Sequence, residues 1–284
     1  MYEAFYRLHS KPFQLGPDPR FFFSSKGHRR AMAYLLYGAH QGEGFIIITG
    51  EIGAGKTMLA NTLAHKLASQ SLVLAQVVST RLKDDDMVRM VAAAFGLAQD
   101  DSKAVLLDRI EQHLHACHRQ GKRVLLIVDE AQNIPAGSVE ELRMLSNFVL
   151  GSKPLLQTFL LGQPEFRRIL QSPAMEQLRQ RVIASCHVGP LDHGETEAYI
   201  LHRLLTAGWR NDPSFSADAF AGIHQYTGGI PRKINVMCDR LLLMGSLDKK
   251  HALTGAEVAI LVEELQQEFA PLEHRVGGEG SGGR

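Results

Sequence analysis

The sequence lacks several features that would place it in particular protein classes. Its three cysteines, Cys117, Cys186 and Cys238, lie far apart and match neither a disulfide framework nor a metal-ligand spacing. This scatter indicates reduced thiols in a cytoplasmic protein. Lys and Arg (31) nearly balance Asp and Glu (30), so no global basic excess indicates a nucleic acid or an anionic membrane as partner.

Long apolar runs are also missing. The N-terminus has neither a basic start nor an apolar signal core, and no run approaches the roughly 20 residues that cross a bilayer. The longest runs, at 45–48 and 124–128, have the length of buried strands. We therefore expect a cytoplasmic protein that reaches the inner membrane only peripherally, through a partner.

The stretch from residue 45 to 67 has the order strand, glycine loop, helix. Residues 50–57 read Gly-Glu-Ile-Gly-Ala-Gly-Lys-Thr and match the phosphate-loop pattern G-x-x-x-x-G-K-[ST]. Lys56 would reach the β- and γ-phosphates of a nucleotide, and the Thr57 hydroxyl would hold Mg²⁺. A chance glycine loop is the weaker alternative. The predicted nucleotide-binding residues are Gly50, Glu51, Ile52, Gly53, Ala54, Gly55, Lys56, Thr57 and Met58.

Two carboxylates follow the apolar strand predicted over 123–128. In a phosphate-loop protein Asp129 would bind Mg²⁺, mostly through water, and Glu130 would polarise the water that attacks the γ-phosphate. The alternative is a pair that caps the following helix. The preceding phosphate loop favours the catalytic interpretation.

Three further polar residues are candidates for the same site. Gln163 ends a strand predicted over 155–161, which we expect beside the strand bearing Asp129; it would sense the γ-phosphate or position water, or merely cap a helix. Arg179 and Arg181 accompany a helix predicted around 174–180. They are either solvated charges or, in an oligomer, a finger that reaches a neighbour's γ-phosphate.

The pattern after Pro190 is purely helical, with helices predicted over 195–205, 216–227, 232–246 and 255–269. Five phenylalanines within residues 1–23 are too many for a free tail, so we expect this segment to pack on the core. We expect an αβα core over 1–190 that includes this aromatic N-terminal segment, a helical lid domain over 191–270, and a disordered glycine-rich tail over 271–284. Arg232 begins the third lid helix, where a cation opposes the helix dipole. We therefore predict that it reaches the β- or γ-phosphate across the domain cleft.

Two clusters of metal-binding residue types have simpler explanations. The acidic run at 84–86 precedes a helix predicted over 87–95, where carboxylates interact favourably with the helix dipole. His113, His115, Cys117 and His118 lie on a helix predicted over 102–120, but their spacing matches no zinc pattern. We favour a charged helix start and a solvated helix face.

Taken together, residues 1–270 resemble the AAA+ ATPases, and more narrowly the general secretion pathway protein A (ExeA-like) family. The resemblance is carried by Lys-Pro-Phe at 11–13, Pro-Asp-Pro-Arg-Phe at 17–21, Gly-His-Arg at 27–29, the phosphate loop at 50–57, Asp-Glu-Ala-Gln at 129–132, Leu-Gly-Gln-Pro-Glu at 161–165 and Gly-Gly-Ile-Pro-Arg at 228–232. The N-terminal motifs and the Gly-Gln-Pro-Glu turn are far more discriminating than the widespread phosphate loop. The resemblance implies an open parallel sheet with the phosphate loop and Asp129-Glu130 on adjacent strands. It also implies sensor roles for Gln163 and Arg232, and a trans finger at Arg179 or Arg181.

The resemblance further implies a function. Family members of type II secretion extend beyond the lid with a transmembrane helix and a peptidoglycan-binding domain, neither of which is in these 284 residues. The chain is more similar to short soluble members encoded with exosortase and exopolysaccharide systems. We expect Mg²⁺-dependent ATP hydrolysis by a homo-oligomer that acts on an envelope secretion or polysaccharide-export partner.

Two other functions remain open at this point. One is a DNA-binding AAA+ regulator of transposition or replication, for which the basic residues at 29–30 and 249–251 are thin support. The other is a slow nucleotide-dependent switch that serves as a scaffold. Glu130 argues against a switch that does not hydrolyse ATP.

Overall fold

The computed structural model describes residues 1–16, 18–67, 71–78, 87–99 and 102–268. Within these ranges the α-helices are α1 (Tyr2–Phe5), α2 (Lys26–Gln41), α3 (Lys56–Leu67), α4 (Met87–Ala94), α5 (Lys103–Arg119), α6 (Ala136–Leu145), α7 (Glu165–Gln171), α8 (Glu176–Arg179), α9 (His193–Thr206), α10 (Ala217–Thr227), α11 (Pro231–Leu247) and α12 (Gly255–Glu268). The strands are β1 (Phe45–Gly50), β2 (Leu72–Val78), β3 (Arg123–Asp129), β4 (Val149–Leu150), β5 (Lys153–Pro154), β6 (Gln157–Gly162), β7 (Val182–Val188), β8 (Ser214–Phe215) and β9 (Ala252–Leu253).

A parallel five-stranded sheet is the centre of one compact unit, which comprises Gly16–Leu191 with Ile230–Arg232 and is called the sheet unit below. The strand order is β2-β3-β6-β1-β7. Strands of a parallel sheet are covered on both faces, so they are continuously apolar. Every residue of β1 and of β6 is accordingly buried. The predicted open parallel α/β sheet is confirmed.

Alternate side chains of β1 enter two different apolar layers, because neighbouring residues of a strand point to opposite faces. Phe45 and Ile47 pack with residues of α4, α5 and α6. Ile46 and Ile48 pack with residues of α2 and α3. The two faces of the sheet are thus covered by helices, and the loops that follow the strands lie at its carboxyl edge.

Three strands end together at this carboxyl edge. β1 ends at Gly50, β3 at Asp129 and β6 at Gly162, and β6 lies between the other two. The expectation that Gln163 lies beside the strand bearing Asp129 is confirmed. The expectation that the phosphate loop and Asp129 lie on adjacent strands is wrong, because β6 pairs with β1 on one side and with β3 on the other.

The second compact unit, called the helical unit below, contains Met1–Leu15, Asp192–Gly229 and the described residues from Lys233 onward. Asp192 starts α9 with a capping box, and Ser216 caps α10. The pattern is not purely helical, since Ser214–Phe215 pairs in parallel with Ala252–Leu253. Two residues are too short a run for a periodic signal, which explains why the sequence did not indicate these strands.

The first fifteen residues group with the helical unit, and not with the core to which the sequence pattern assigned them. Tyr2, Tyr6 and Phe13 are buried there. The Tyr2 hydroxyl donates to Asp239, and the Tyr6 hydroxyl donates to the Lys250 carbonyl at 3.0 Å. The aromatic content correctly indicated burial of this segment, but it did not identify the surface that buries it.

Other expectations meet the structure unevenly. From the sequence a helix is also predicted over 138–150; in the structure it begins at Ala136 and ends at Leu145, and Val149–Leu150 pairs with Lys153–Pro154 in a short antiparallel hairpin. The acidic run at 84–86 and the tail at 271–284 lie outside the described residues. Within the described ranges, no helix combines the length and the apolar character that a membrane span requires.

Candidate functional site

The phosphate-loop sequence forms the turn between β1 and α3. Gly53 (φ +82°) and Gly55 (φ +93°) adopt the left-handed conformation that side chains disfavour. A Cβ atom on Gly53 would lie 2.4 Å from the Cβ of Arg232, and one on Gly55 would lie 2.9 Å from Nε2 of His28. Both glycines are therefore required by backbone conformation and by close approach.

The remaining residues of this loop differ in exposure. Glu51 and Ile52 form an exposed tip, with 61% of Ile52 accessible, whereas Ala54 is buried and Met58 is half-buried. Gly50 lies where β1 ends, close to the carbonyl oxygen of Val188. The loop thus presents backbone rather than side chains at its centre, as an anion-binding loop does.

Lys56, the first residue of α3, is 6% exposed. Its ammonium donates to the carbonyl oxygens of Gly50 at 2.8 Å and of Glu51 at 3.1 Å. Burial lowers the pKa of Lys56, and the nearby carboxylates of Glu130 and Asp129 oppose that effect. A buried cation therefore lies over the loop and is held by two neutral acceptors.

The two motifs meet at Thr57 and Asp129. The Thr57 hydroxyl donates to Oδ2 of Asp129 at 2.7 Å, while Oδ1 of Asp129 accepts from the backbone N–H of Glu130 at 2.9 Å. Asp129 is 4% exposed. A hydroxyl from the first turn of α3 and a carboxylate from the end of β3 are thereby brought into direct contact.

Glu130 occupies a strained backbone position, with φ 55° and ψ 41°. For a residue with a side chain this conformation costs roughly 1–2 kcal/mol. Its Oε2 accepts from Nε2 of Gln132 at 2.5 Å and from Nε2 of Gln163 at 3.1 Å. Burial works to raise the pKa of Glu130, but these two hydrogen bonds and the charge of Lys56 outweigh it, so the pKa lies below its usual value.

The predicted arginines are distributed unequally. Arg232 belongs to the sheet unit, and its backbone N–H donates to the Gly53 carbonyl at 3.2 Å. Arg179 is exposed, and its guanidinium donates to the carbonyls of Leu170 at 2.6 Å and Ser172 at 3.0 Å. Arg181 donates to the Ser146 hydroxyl at 2.6 Å. No described contact joins Arg179 or Arg181 to the phosphate loop.

Two residues of the site were not given a role from the sequence. Gln132 bonds Glu130, and the His28 imidazole approaches Gly55 while its Nδ1 pairs with the Ser25 hydroxyl at 2.7 Å. Both lie in motifs that the resemblance uses, Gly-His-Arg at 27–29 and Asp-Glu-Ala-Gln at 129–132, and these motifs could have identified them as candidate site residues. The zinc interpretation of the α5 histidines finds no support, since no group of three or more metal-ligating side chains occurs in the described ranges.

Comparison with known proteins agrees with this geometry. Residues 39–170 match the family described as AAA domain. The chain is 36% identical over 267 residues to General secretion pathway protein A of Aeromonas hydrophila, which covers 93% of this chain. It spans about half, 48%, of that relative's length.

Solved structures with similar folds have low sequence identity. The ORC2 protein of Aeropyrum pernix, in its ADPNP–ADP complexes, superposes with a TM-score of 0.68 at 15% identity and covers 89% of this chain and 71% of its own. The RuvB Holliday junction branch migration motor of Thermotoga maritima gives 0.58 at 18% identity, over 85% and 70%. At such identities the likeness concerns the fold alone.

Proposed function

We propose that the chain catalyses Mg²⁺-dependent ATP hydrolysis. It is an AAA+ P-loop protein, and 93% of its own length is similar to General secretion pathway protein A. The observation that carries the proposal is the 2.7 Å hydrogen bond from Thr57 to Asp129. It brings the phosphate loop and the acidic strand end together. The next residue, Glu130, is the carboxylate that such chemistry needs.

Thr57 and Asp129 suit a small divalent cation, because a hydroxyl and a carboxylate are the oxygen ligands that Mg²⁺ prefers. Bound there, Mg²⁺ would neutralise charge on the β- and γ-phosphates. Lys56 would contribute a second positive charge at the loop. Its two carbonyl acceptors are neutral, so phosphate oxygens would replace them as stronger, charge-assisted partners.

Glu130 orients the attacking water in this proposal. Its lowered pKa keeps the carboxylate ionised, so it accepts a hydrogen bond from water at neutral pH. Gln163 and Arg232 act as the first and second γ-phosphate sensors. The place of Gln163 between β1 and β3, and the contact of Arg232 with Gly53, support these roles.

The test is steady-state ATP hydrolysis together with ATP binding. Glu130→Gln should lose roughly 100-fold or more of the turnover and keep ATP affinity, because it removes the water-orienting carboxylate without touching the loop. Glu140→Gln is the matched control, since Glu140 is an exposed carboxylate on α6 that pairs with Arg143. Equal turnover of wild type and Glu130→Gln contradicts the proposal.

Arg179 or Arg181 completes the site of a neighbouring copy in a homo-oligomer. The exposure of Arg179 and the anchoring of both guanidinium groups on their own chain support a preset orientation. Specific activity should then rise with protein concentration, and either Arg179→Ala or Arg181→Ala should abolish that rise. Activity that is independent of concentration and unaffected by both changes excludes a trans finger.

The cellular task is an energy-dependent step in a bacterial envelope secretion or exopolysaccharide-export machine, performed from the cytoplasm with peripheral recruitment to the inner membrane. The name of the 36% identical relative, General secretion pathway protein A, supports the secretion part of this assignment. The test is to fractionate cells that express the chain, once with and once without the genes of the secretion or exopolysaccharide-export machine. Membrane recruitment should require those genes, and recruitment without them contradicts a partner-mediated role.

A further inference from the structure

Three hydrogen bonds form a closed ring around the Glu130 carboxylate. Gln132 Nε2 donates to Glu130 Oε2 at 2.5 Å, Gln163 Nε2 donates to the same oxygen at 3.1 Å, and the backbone N–H of Gln163 donates to Gln132 Oε1 at 2.9 Å. All three side chains are half-buried. The ring joins the turn after β3 to the end of β6.

The orientation of the Gln132 amide follows from this ring. A backbone N–H only donates, so the oxygen of the Gln132 amide must face Gln163. Its NH₂ group is then directed at Glu130, whose carboxylate is the acceptor. The Gln132 side chain therefore bridges Gln163, at the end of β6, and the Glu130 carboxylate.

The ring also distinguishes the two carboxylate oxygens. Oε2 receives both amide donors, and no described hydrogen bond occupies Oε1. The backbone of Glu130 is also held, because its N–H donates to Oδ1 of Asp129. Oε2 is thus held by the turn after β3 and by the residue that follows β6, and Oε1 has no such bond among the described residues.

We propose that Gln132 is a positioning residue for hydrolysis, which holds the Glu130 carboxylate against the Gln163 end of β6 so that Oε1 alone is available to the attacking water. This inference rests on the proposed ATPase function and adds a residue to it. Gln132 does not touch the nucleotide in this role. Its effect passes through Glu130, so turnover and not ATP affinity should depend on it.

The experiment compares kcat and KM for ATP in Gln132→Leu and Gln132→Glu. Leucine removes both bonds of the side chain. Glutamate has nearly the same volume and keeps the acceptor for Gln163, but it places a second carboxylate oxygen against Glu130. We expect kcat to fall roughly tenfold or more in both variants while KM changes less than about threefold.

Two comparisons separate positioning from a packing role. Gln132→Leu in a Glu130→Gln background should cause no further loss, because residues that act as one unit are not additive. Gln112→Leu is the matched control, since Gln112 is an exposed amide on α5 that bonds Asp108 at 2.7 Å. Thermal unfolding of each variant checks that the fold is retained.

The outcomes separate this inference from the proposed function. A wild type that hydrolyses ATP, alongside a Gln132→Glu variant with unchanged kcat, overturns the role of Gln132 alone. Parallel loss of kcat and ATP affinity also overturns it, because the residue would then act on binding. A wild type without ATP hydrolysis overturns the proposed function and this role together.

Discussion

The sheet unit and the helical unit each bury a long cationic side chain, Lys56 in the first and Arg203 in the second. Lys56 donates to two carbonyls of a loop, which the phosphates of the proposed nucleotide would replace. Arg203 donates to the carbonyl of Pro12 at 2.5 Å and to the Tyr199 hydroxyl at 2.9 Å, both within its own unit. The replaceability of the acceptors, and not burial itself, distinguishes a binding cation from a structural one.

Backbone strain separates the two units in the same way. In the helical unit the described non-glycine residues with positive φ are Arg7, Asn211 and Lys249, and all three are exposed at turns. In the sheet unit the corresponding residue is Glu130, which lies at the candidate site. Strain of this kind persists where surrounding contacts enforce it. For Glu130 those contacts come from Asp129 and Gln132.

The largest expected effect is on the helical unit. Arg203→Met should destabilise it by about 3 kcal/mol, because buried carbonyls of the N-terminal segment lose their donor. Trp209, the single tryptophan, lies in this unit and reports its unfolding by fluorescence in urea. ATP affinity should be unchanged. A variant that loses ATP affinity without losing stability would contradict the structural role of Arg203.

Lys56→Ala should have the opposite profile. ATP affinity should fall about 100-fold, which corresponds to roughly 2.7 kcal/mol, because a charge-assisted partner of the phosphates is lost. Stability should fall less than in Arg203→Met, because Glu51 lies at the exposed tip of the loop, where water can replace the lost donor. Lys66→Ala, at an exposed position of α3, is the matched control. Fluorescent-nucleotide titration measures the affinity, and a stability loss as large as that of Arg203→Met would erase the contrast.

Glycine substitutions sharpen the contrast at smaller magnitude. Gly53→Ala and Gly228→Ala both place a side chain at positive φ, +82° and +59°, at a cost of about 1 kcal/mol each. Around Gly228 nothing lies within 4 Å of the added Cβ, whereas at Gly53 it meets the Cβ of Arg232 at 2.4 Å. Only Gly53→Ala should weaken ATP binding, as measured by titration. Equal ATP affinity of the two variants would show that ATP binding does not require glycine at position 53.

The sequence predicted those parts of the site that depend on local chain order. Lys56 and Thr57 follow from strand, glycine loop and helix in succession, and Asp129 and Glu130 follow from the end of an apolar strand. The role of Gln132 depends on Gln163, which is 31 residues away. That contact exists because β6 pairs with β3, and strand order is set by crossovers that no short motif encodes.

The N-terminal segment teaches the same lesson about packing. Its aromatic residues predicted burial, because such a segment does not leave several large rings in water. The partner surface follows from long-range contacts, such as Tyr2 with Asp239 and Arg203 with Pro12. These contacts have no periodic signal in the sequence. Burial was therefore predictable here, and the unit that provides it was not.

The smallest expected effect concerns the pH dependence of the helical unit. The pKa of Glu257 is lowered to about 2. The largest cause is the hydrogen bond from the Lys250 ammonium, and the hydrogen bonds from Thr254 have the next largest effect. A pKa depressed by folding stabilises the folded state above the ordinary pKa of a glutamate, and this contribution is lost as the pH falls from there toward 2. Glu257→Gln should thus lower stability slightly at pH 7, and its difference from wild type should vanish in acid.

The matched control for that change is Glu264→Gln, an exposed carboxylate on the same helix α12. Its stability difference from wild type should be close to zero across the whole range, because removing an unpaired surface charge has little effect. Urea unfolding followed by Trp209 fluorescence at several pH values measures both variants. A Glu257→Gln difference that persists at pH 2 would show that the residue stabilises α12 by packing and not by its charge.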